Sequence, residues 1–159
     1  MNGFVHIRVD DRLIHGQVAT RWATGLGINR IMVIDDKVAE DETEKSILRM
    51  AAPSGINTSI LPFEKAVNNI KNGNYAGQRV LLLVKSPVIL VEMLEAGVDL
   101  LPVNIGNMSA RQGTTQYKKS INMTQEERDA VFKLMDAGIK VTAQMVPDDP
   151  VTDIKEYLN

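Results

Sequence analysis

The 159-residue sequence contains no cysteine. Disulfides, thiolate metal sites and cysteine nucleophiles are excluded, and the composition suits a reducing compartment. Aromatic residues make up 4% of the chain, too few for a platform on which bases stack. The formal net charge is -2 with no basic run, so a nucleic-acid partner is not expected. No apolar stretch approaches the ~18 residues that a bilayer-spanning helix requires. The longest, VLLLV at 80–84, has the length of a strand. The opening MNGFVHIRVDD meets charged residues at once, unlike a secretory signal. The loops GxxxxGK[ST] and GxGxxG, the GxSxG elbow and the HExxH spacing are all missing. Neither a metal nor a cofactor is expected. What remains is a cytoplasmic chain with 44% hydrophobic residues, enough for one domain over 1–159 with a real core.

Short apolar runs alternate with helical patterns. Strands are predicted at 4–9, 30–34, 57–61, 79–85, 100–106 and 139–146. Helices are predicted from 16 to 24, stopped by Gly25 and Gly27, and after Asp41, which caps with Glu44 three residues on. In the latter helix Ile47, Leu48 and Met50–Ala51 supply an apolar stripe. Further helices follow Pro62, Ser86 and Thr124, and a short one closes the chain after Pro150. The continuous VLLLV run suits a central parallel strand. The rhythm predicts an open, mostly parallel α/β sheet with helices on both faces. The polar stretch 106–123 reads as irregular or strand-like, and long loops of this kind are often functional.

In such sheets, ligands gather beyond the carboxyl ends of the strands. The first loop leaves the first strand at that edge and carries Asp10, Asp11, Arg12, His15 and Gln17 within eight residues. Val5, Ile7 and Val9 share one face of the strand, so His6 and Arg8 share the other. This grouping suits phosphoryl transfer through a histidine. An imidazole, with an ordinary pKa of ~6.5, is a nucleophile largely neutral at pH 7. Backbone N–H groups at the start of the Gly16–Gln17–Val18 helix point toward an anion. Arg8 and Arg12 offer charge-assisted hydrogen bonds to phosphoryl oxygens. Asp10 or Asp11 would hold one ring nitrogen and leave the other free to attack. Gly16, without a side chain, lets a phosphate or partner approach. The blander reading makes His15 an ordinary polar side chain in a solvated loop and the aspartates turn caps. His6 and Trp22 read as structural, and the eight methionines as core filler.

The string RVDDRLIHGQVATRW closely resembles the opening of the IIB components of the bacterial sugar phosphotransferase system, mannose/fructose/sorbose family. The likeness continues through RIMVIDDKVAED (30–41), YAGQRVLLLVKSP (75–87) and GVDLLPVNIGNMSARQGTTQ (97–116), nearly the whole chain. The resemblance implies a phosphocarrier. A phosphorylated IIA partner would pass its phosphoryl group to His15, and the domain would hand it to a hexose entering through the membrane IIC and IID components. Membrane association would be peripheral, through those partners only. Asp10, Arg12 and Gln17 match the loop around the family's phosphorylated histidine; Arg8 and Arg111 match basic positions near the phosphate. Asn107 stands where mannose members often have glycine, so the hexose (mannose, fructose, sorbose or an amino sugar) stays open. The competing reading is a receiver-type signalling domain phosphorylated on aspartate. Asp10–Asp11 follow the first strand like an acidic metal pair, and Lys85 follows a central strand. Against it, Asp35–Asp36 follow the second strand where a receiver uses the third.

Overall fold

VLLLV is buried along its whole length and forms β4 (Val80–Val84). A strand with no polar face needs helices over both faces and strands at both edges. The computed structural model, which describes residues 1–158 apart from the side chains of Gln17 and Val18, supplies both. Its strands are β1 (Phe4–Asp10), β2 (Arg30–Ile34), β3 (Asn57–Leu61), β4, β5 (Val103–Asn107), β6 (Thr115–Lys118), β7 (Ile121–Met123), β8 (Val141–Ala143) and β9 (Thr152–Asp153). Seven make one sheet in the order β3-β2-β4-β1-β5-β8-β9. Every pairing in that sheet is parallel except β8 with β9. This is the open, mostly parallel α/β sheet predicted from the alternation of apolar runs.

Helices α1 (Gly16–Leu26), α2 (Asp36–Glu40) and α3 (Glu42–Ala51) cover one face. Helices α4 (Phe63–Lys71), α5 (Pro87–Glu95) and α6 (Gln125–Asp136) cover the other. The two-residue period of β4 feeds both cores. Leu81 and Leu83 point toward α1, while Val80, Leu82 and Val84 join the larger core opposite. Helix starts follow the predicted caps. Asp41 accepts from the Glu44 amide at 3.1 Å, and Ser86 from the Val88 amide at 3.2 Å. Thr124 and Glu127 form a complete capping box.

One local expectation is borne out in its strand-like form, and two change. The stretch 106–123 carries the β6–β7 hairpin, whose Ile121 and Met123 pack into the larger core. The chain closes with β9 and a single 3₁₀ turn at Ile154–Tyr157, too short for an α-helix. On α3 Leu48 is buried and Ala51 packs beside the same core, whereas Ile47 is 60% exposed and Met50 84% exposed. A cluster of apolar residues predicts a helix, but which of its faces meets the sheet is settled by packing.

On β1, Ile7 and Val9 enter the larger core. The alternate positions His6, Arg8 and Asp10 lie under α1. His6 and Arg8 are in register with Leu81 and Leu83 of β4. A polar column therefore stands where the neighbouring strand carries leucines.

Candidate functional site

β1 is the fourth of the seven strands. The chain leaves it toward β2 on one side, whereas β5, its other neighbour, leads to β8 on the opposite side. The crevice beyond the carboxyl end of β1 is thus a switch point, where no crossing helix blocks the strand ends. Asp10 ends β1 there with 1% of its surface exposed.

Asp10 is a buried carboxylate with a full set of partners. Arg12 donates to it from Nε and Nη2, both at 2.9 Å, and from its backbone N–H at 3.1 Å. Arg8 donates from Nε at 3.3 Å and Nη2 at 3.2 Å. Burial pushes the Asp10 carboxyl up. The Arg12 hydrogen bonds and the charges of Arg8 and Arg12 outweigh it and hold the group below its ordinary value. Asp10 is therefore a fixed anion at neutral pH.

Arg8 lies beneath Asp10, 1% exposed. Besides Asp10, its guanidinium donates to Asn104 Oδ1 at 2.7 Å and to the carbonyls of Gln144 at 3.0 Å and Met145 at 2.7 Å. All five of its N–H groups are engaged. Trp22 of α1 covers it, with its ring centroid 5.0 Å from Cζ, and His6 stacks on the same side chain with ring centroids 4.8 Å apart. Burial pushes the Arg8 guanidinium down and Asp10 pushes it back up. The expectation that Arg8 binds phosphate is corrected here: its donors face the interior and are fully occupied, so it supports Asp10. Gly106 makes the space. A Cβ there would stand 2.0 Å from Arg8 Cζ.

His15 caps α1 in extended backbone geometry, and its side chain makes no capping bond. The ring instead turns back to β1, with Nε2 3.3 Å from Asp10 Oδ2. Its side chain is 25% exposed. The turn that achieves this is tight. The Leu13 amide donates to the Asp10 carbonyl at 2.9 Å, and Leu13 takes a left-handed φ of 60°. That conformation is unfavourable for a side-chain-bearing residue by about 1–2 kcal/mol. Burial of Leu13 and Ile14 in the α1-side core holds it. So Asp10, not Asp11, meets the ring. Asp11 binds the β5–β6 connection through Asn107 Nδ2 at 3.0 Å and the Ser109 amide at 2.7 Å. Asn107 thereby ties two loops together.

The remaining predicted residues divide. Arg12 is 34% exposed at its side chain. Nε and Nη2 hold Asp10, and its Nη1 bonds to no described residue. Gly16 lies beside open space: a Cβ there would meet nothing within 4 Å. The side chain of Gln17 lies outside the described residues. Arg111 sits on the β5–β6 connection, bonded to the Ser109 carbonyl at 3.1 Å and paired with Glu127 of α6. No contact joins it to His15. The acidic pair of the receiver reading is not formed, because Asp10 is bracketed by two arginines and Asp11 points at the next loop. Asn104, Gly106 and the carbonyls of Gln144 and Met145 were not singled out from sequence. The NIG motif offered the one hint, since a glycine inside a strand often marks a close approach.

A doubly wound sheet that presents a carboxylate-bound histidine at its switch point defines the class of open α/β domains whose site lies in the crevice beyond the strand ends. The chain matches the family model for the sorbose-subfamily IIB component of the PTS system over residues 4–159. It is 39% identical over 152 residues to the mannose-specific EIIAB component of the PTS system of Escherichia coli K12, 96% of this chain and 47% of that protein. It thus spans about half the length of that relative. It is 35% identical to the sorbose-specific EIIB component of Lacticaseibacillus casei, covering 92% of this chain and 90% of that one. The solved IIBSor domain of the Klebsiella pneumoniae sorbose permease superposes with a TM-score of 0.94 at 34% identity, over 100% of this chain and 97% of that one. The chain belongs to the IIB components of the sugar phosphotransferase system, mannose/fructose/sorbose family.

Proposed function

We propose that His15 accepts a phosphoryl group from a phosphorylated IIA domain and passes it to a hexose taken up through IIC and IID membrane components. One observation carries the assignment of atoms. Asp10, fixed as an anion by two arginines, engages His15 Nε2 and so sets the tautomer: the proton sits on Nε2 and the lone pair on Nδ1. Nδ1 is then the attacking nitrogen. As the Nδ1–P bond forms, the P–N bond on the donor breaks, and the donor imidazole recovers its lone pair. His15 becomes cationic as it takes up the phosphoryl group, and Asp10 stabilises that charge. Arg12 offers Nη1 to the phosphoryl oxygens, and the first-turn amides of α1 add donors at the positive end of the helix dipole. In the second transfer a sugar hydroxyl attacks phosphorus and the Nδ1–P bond breaks. The hydroxyl proton goes to solvent and the sugar phosphate departs. The protein acts as a template that positions and neutralises charge.

The test is incubation with phosphorylated IIA carrying labelled phosphate. The expected label survives alkali and is lost in acid, as a phosphoramidate is, and His15→Ala abolishes it. Undiminished labelling of His15→Ala overturns the assignment, and an alkali-labile label supports an acyl phosphate on aspartate instead.

A further inference from the structure

The most exposed large apolar side chain among the described residues is Met50, at 84%, and Ile47 one turn earlier is 60% exposed. They are three apart on α3 and share a face with Ala51, four beyond Ile47. The face is not isolated. Met50 and Ala51 line a mostly apolar depression whose other wall is Gly16, Thr20 and Arg21 of α1. Gly16 is bonded to His15, so the depression opens on the edge of the candidate site. Large apolar residues gathered at one place on a surface mark interaction sites more often than they arise by chance.

We infer that the Ile47–Met50 face of α3, with the first turns of α1, is the surface on which the phosphorylated IIA domain docks; this rests on the carrier reading of His15. Size supplies the first argument. A specific interface covers about 800 Å² on each partner, a disc of radius about 16 Å. At 1.5 Å rise per residue, Arg21 lies only about 9 Å along the helix from His15. A protein that delivers a phosphoryl group to His15 through an interface of ordinary size therefore reaches the α1 wall and the Met50 side of the depression. Charge supplies the second. A donor phosphohistidine brings a dianion, and Arg12, on the loop that leads to His15 and Gly16, keeps Nη1 bonded to no described residue. The sugar hydroxyl presented by the membrane components brings no such charge. Chemistry supplies the third. An apolar centre rimmed by Thr20 and Arg21 has the composition of an interface core and rim. Methionine, with its flexible thioether chain, suits a contact that forms and releases in every cycle. A small patch suffices where the partner is tethered. In the E. coli relative named EIIAB, the IIA and IIB parts share one chain, which raises their effective concentration.

The experiment measures initial rates of phosphoryl transfer from separate phosphorylated IIA to the full chain, as wild type, Met50→Asp and Ile47→Asp. Val151→Asp alters an apolar residue 59% exposed elsewhere and serves as control. The expected result is an apparent KM at least tenfold higher for Met50→Asp and Ile47→Asp, with kcat within about twofold, and no change for Val151→Asp. Labelling of His15 by phosphoramidate, a donor too small to need the surface, should keep the wild-type rate in both α3 variants. Unchanged KM in folded Met50→Asp and Ile47→Asp overturns the proposal. So does a defect seen only when the phosphorylated domain passes its group to sugar on vesicles holding IIC and IID, because the face then belongs to the membrane partners. Failure of wild type itself to take label from phosphorylated IIA is a separate outcome. It removes the carrier reading, and the docking proposal with it.

Discussion

Gly106→Ala adds one methyl group to a strand and should be among the most damaging single changes in the molecule. The added Cβ would lie 2.0 Å from Arg8 Cζ and 2.3 Å from each terminal nitrogen, all well inside the 3.0 Å below which real Cβ contacts essentially never fall. Flexible side chains often yield to such a clash, but Arg8 has nowhere to go. Its bonds to Asn104 at 2.7 Å and Met145 at 2.7 Å would break on a retreat of that size, and Trp22 closes the remaining side. Displacing the guanidinium leaves Asp10 with Arg12 as its one cationic partner. Breaking a buried ion pair destabilises by about 3–5 kcal/mol. At roughly 2–4 °C per kcal/mol for a chain of this size, Tm should fall by about 6–20 °C. Urea unfolding followed by the fluorescence of Trp22, the single tryptophan, measures this directly. Its indole donates to the Met145 carbonyl at 3.3 Å and so reports on the same cradle. Arg8→Met is the partner variant. It removes the clash, so the double variant Arg8→Met/Gly106→Ala should be more stable than the sum of the singles predicts, by about 2 kcal/mol. Gly106→Ala within about 1 kcal/mol of wild type, or strict additivity in the double variant, would refute the reasoning. Each falls well below the mutational cost on which it rests.

Asp10→Asn tests the fixed anion. A carboxyl held below its ordinary value in the folded state adds stability above the unfolded-state pKa of ~3.9, and that stability is lost as pH falls through the folded-state value. The stability gap between wild type and Asp10→Asn should therefore be full at neutral pH and close in acid; a gap constant with pH is the contrary result. The same variant should slow labelling of His15 about a hundredfold through lost ring orientation. Burial, helped by the Arg8 charge and opposed by the Asn104 hydrogen bond, pushes the His6 imidazole below its ordinary value. The unfolded chain then binds a proton at His6 below about pH 6.5 that the folded chain refuses, so wild-type stability should rise with pH up to that point. His6→Gln should remove this component, and an unaltered pH profile would tell against it. Arg12→Ala should slow labelling of His15 by about tenfold or more, from the loss of charge-assisted hydrogen bonds, while circular dichroism shows a folded chain. Unfolding of Arg12→Ala would make Arg12 structural.

The order of strands and helices was readable in one dimension because each apolar run carries its own period. VLLLV has no polar face and had to be central; Asp41, Ser86 and Thr124 announced their helices because a cap acts over three residues of chain. The density of polar groups from Asp10 to Gln17 marked the loop for the same local reason. His15 and Arg12 could be selected there, since what they bond to lies within five residues. Arg8 could not be judged that way. Its partners stand 96 and 136 residues along the chain, and the glycine that admits it hints at a close approach without naming the side chain that approaches. Nor could α3 declare its faces. Ile47 and Leu48 are equally apolar, and only the placement of the sheet buried one and exposed the other. The choice of Asp10 over Asp11 is of the same kind: adjacent residues of a strand end point to opposite sides, and which side His15 occupies is settled by the burial of Leu13 and Ile14 beneath α1. Short-range chemistry is written in neighbouring residues, whereas burial and orientation depend on surfaces brought together from distant parts of the chain.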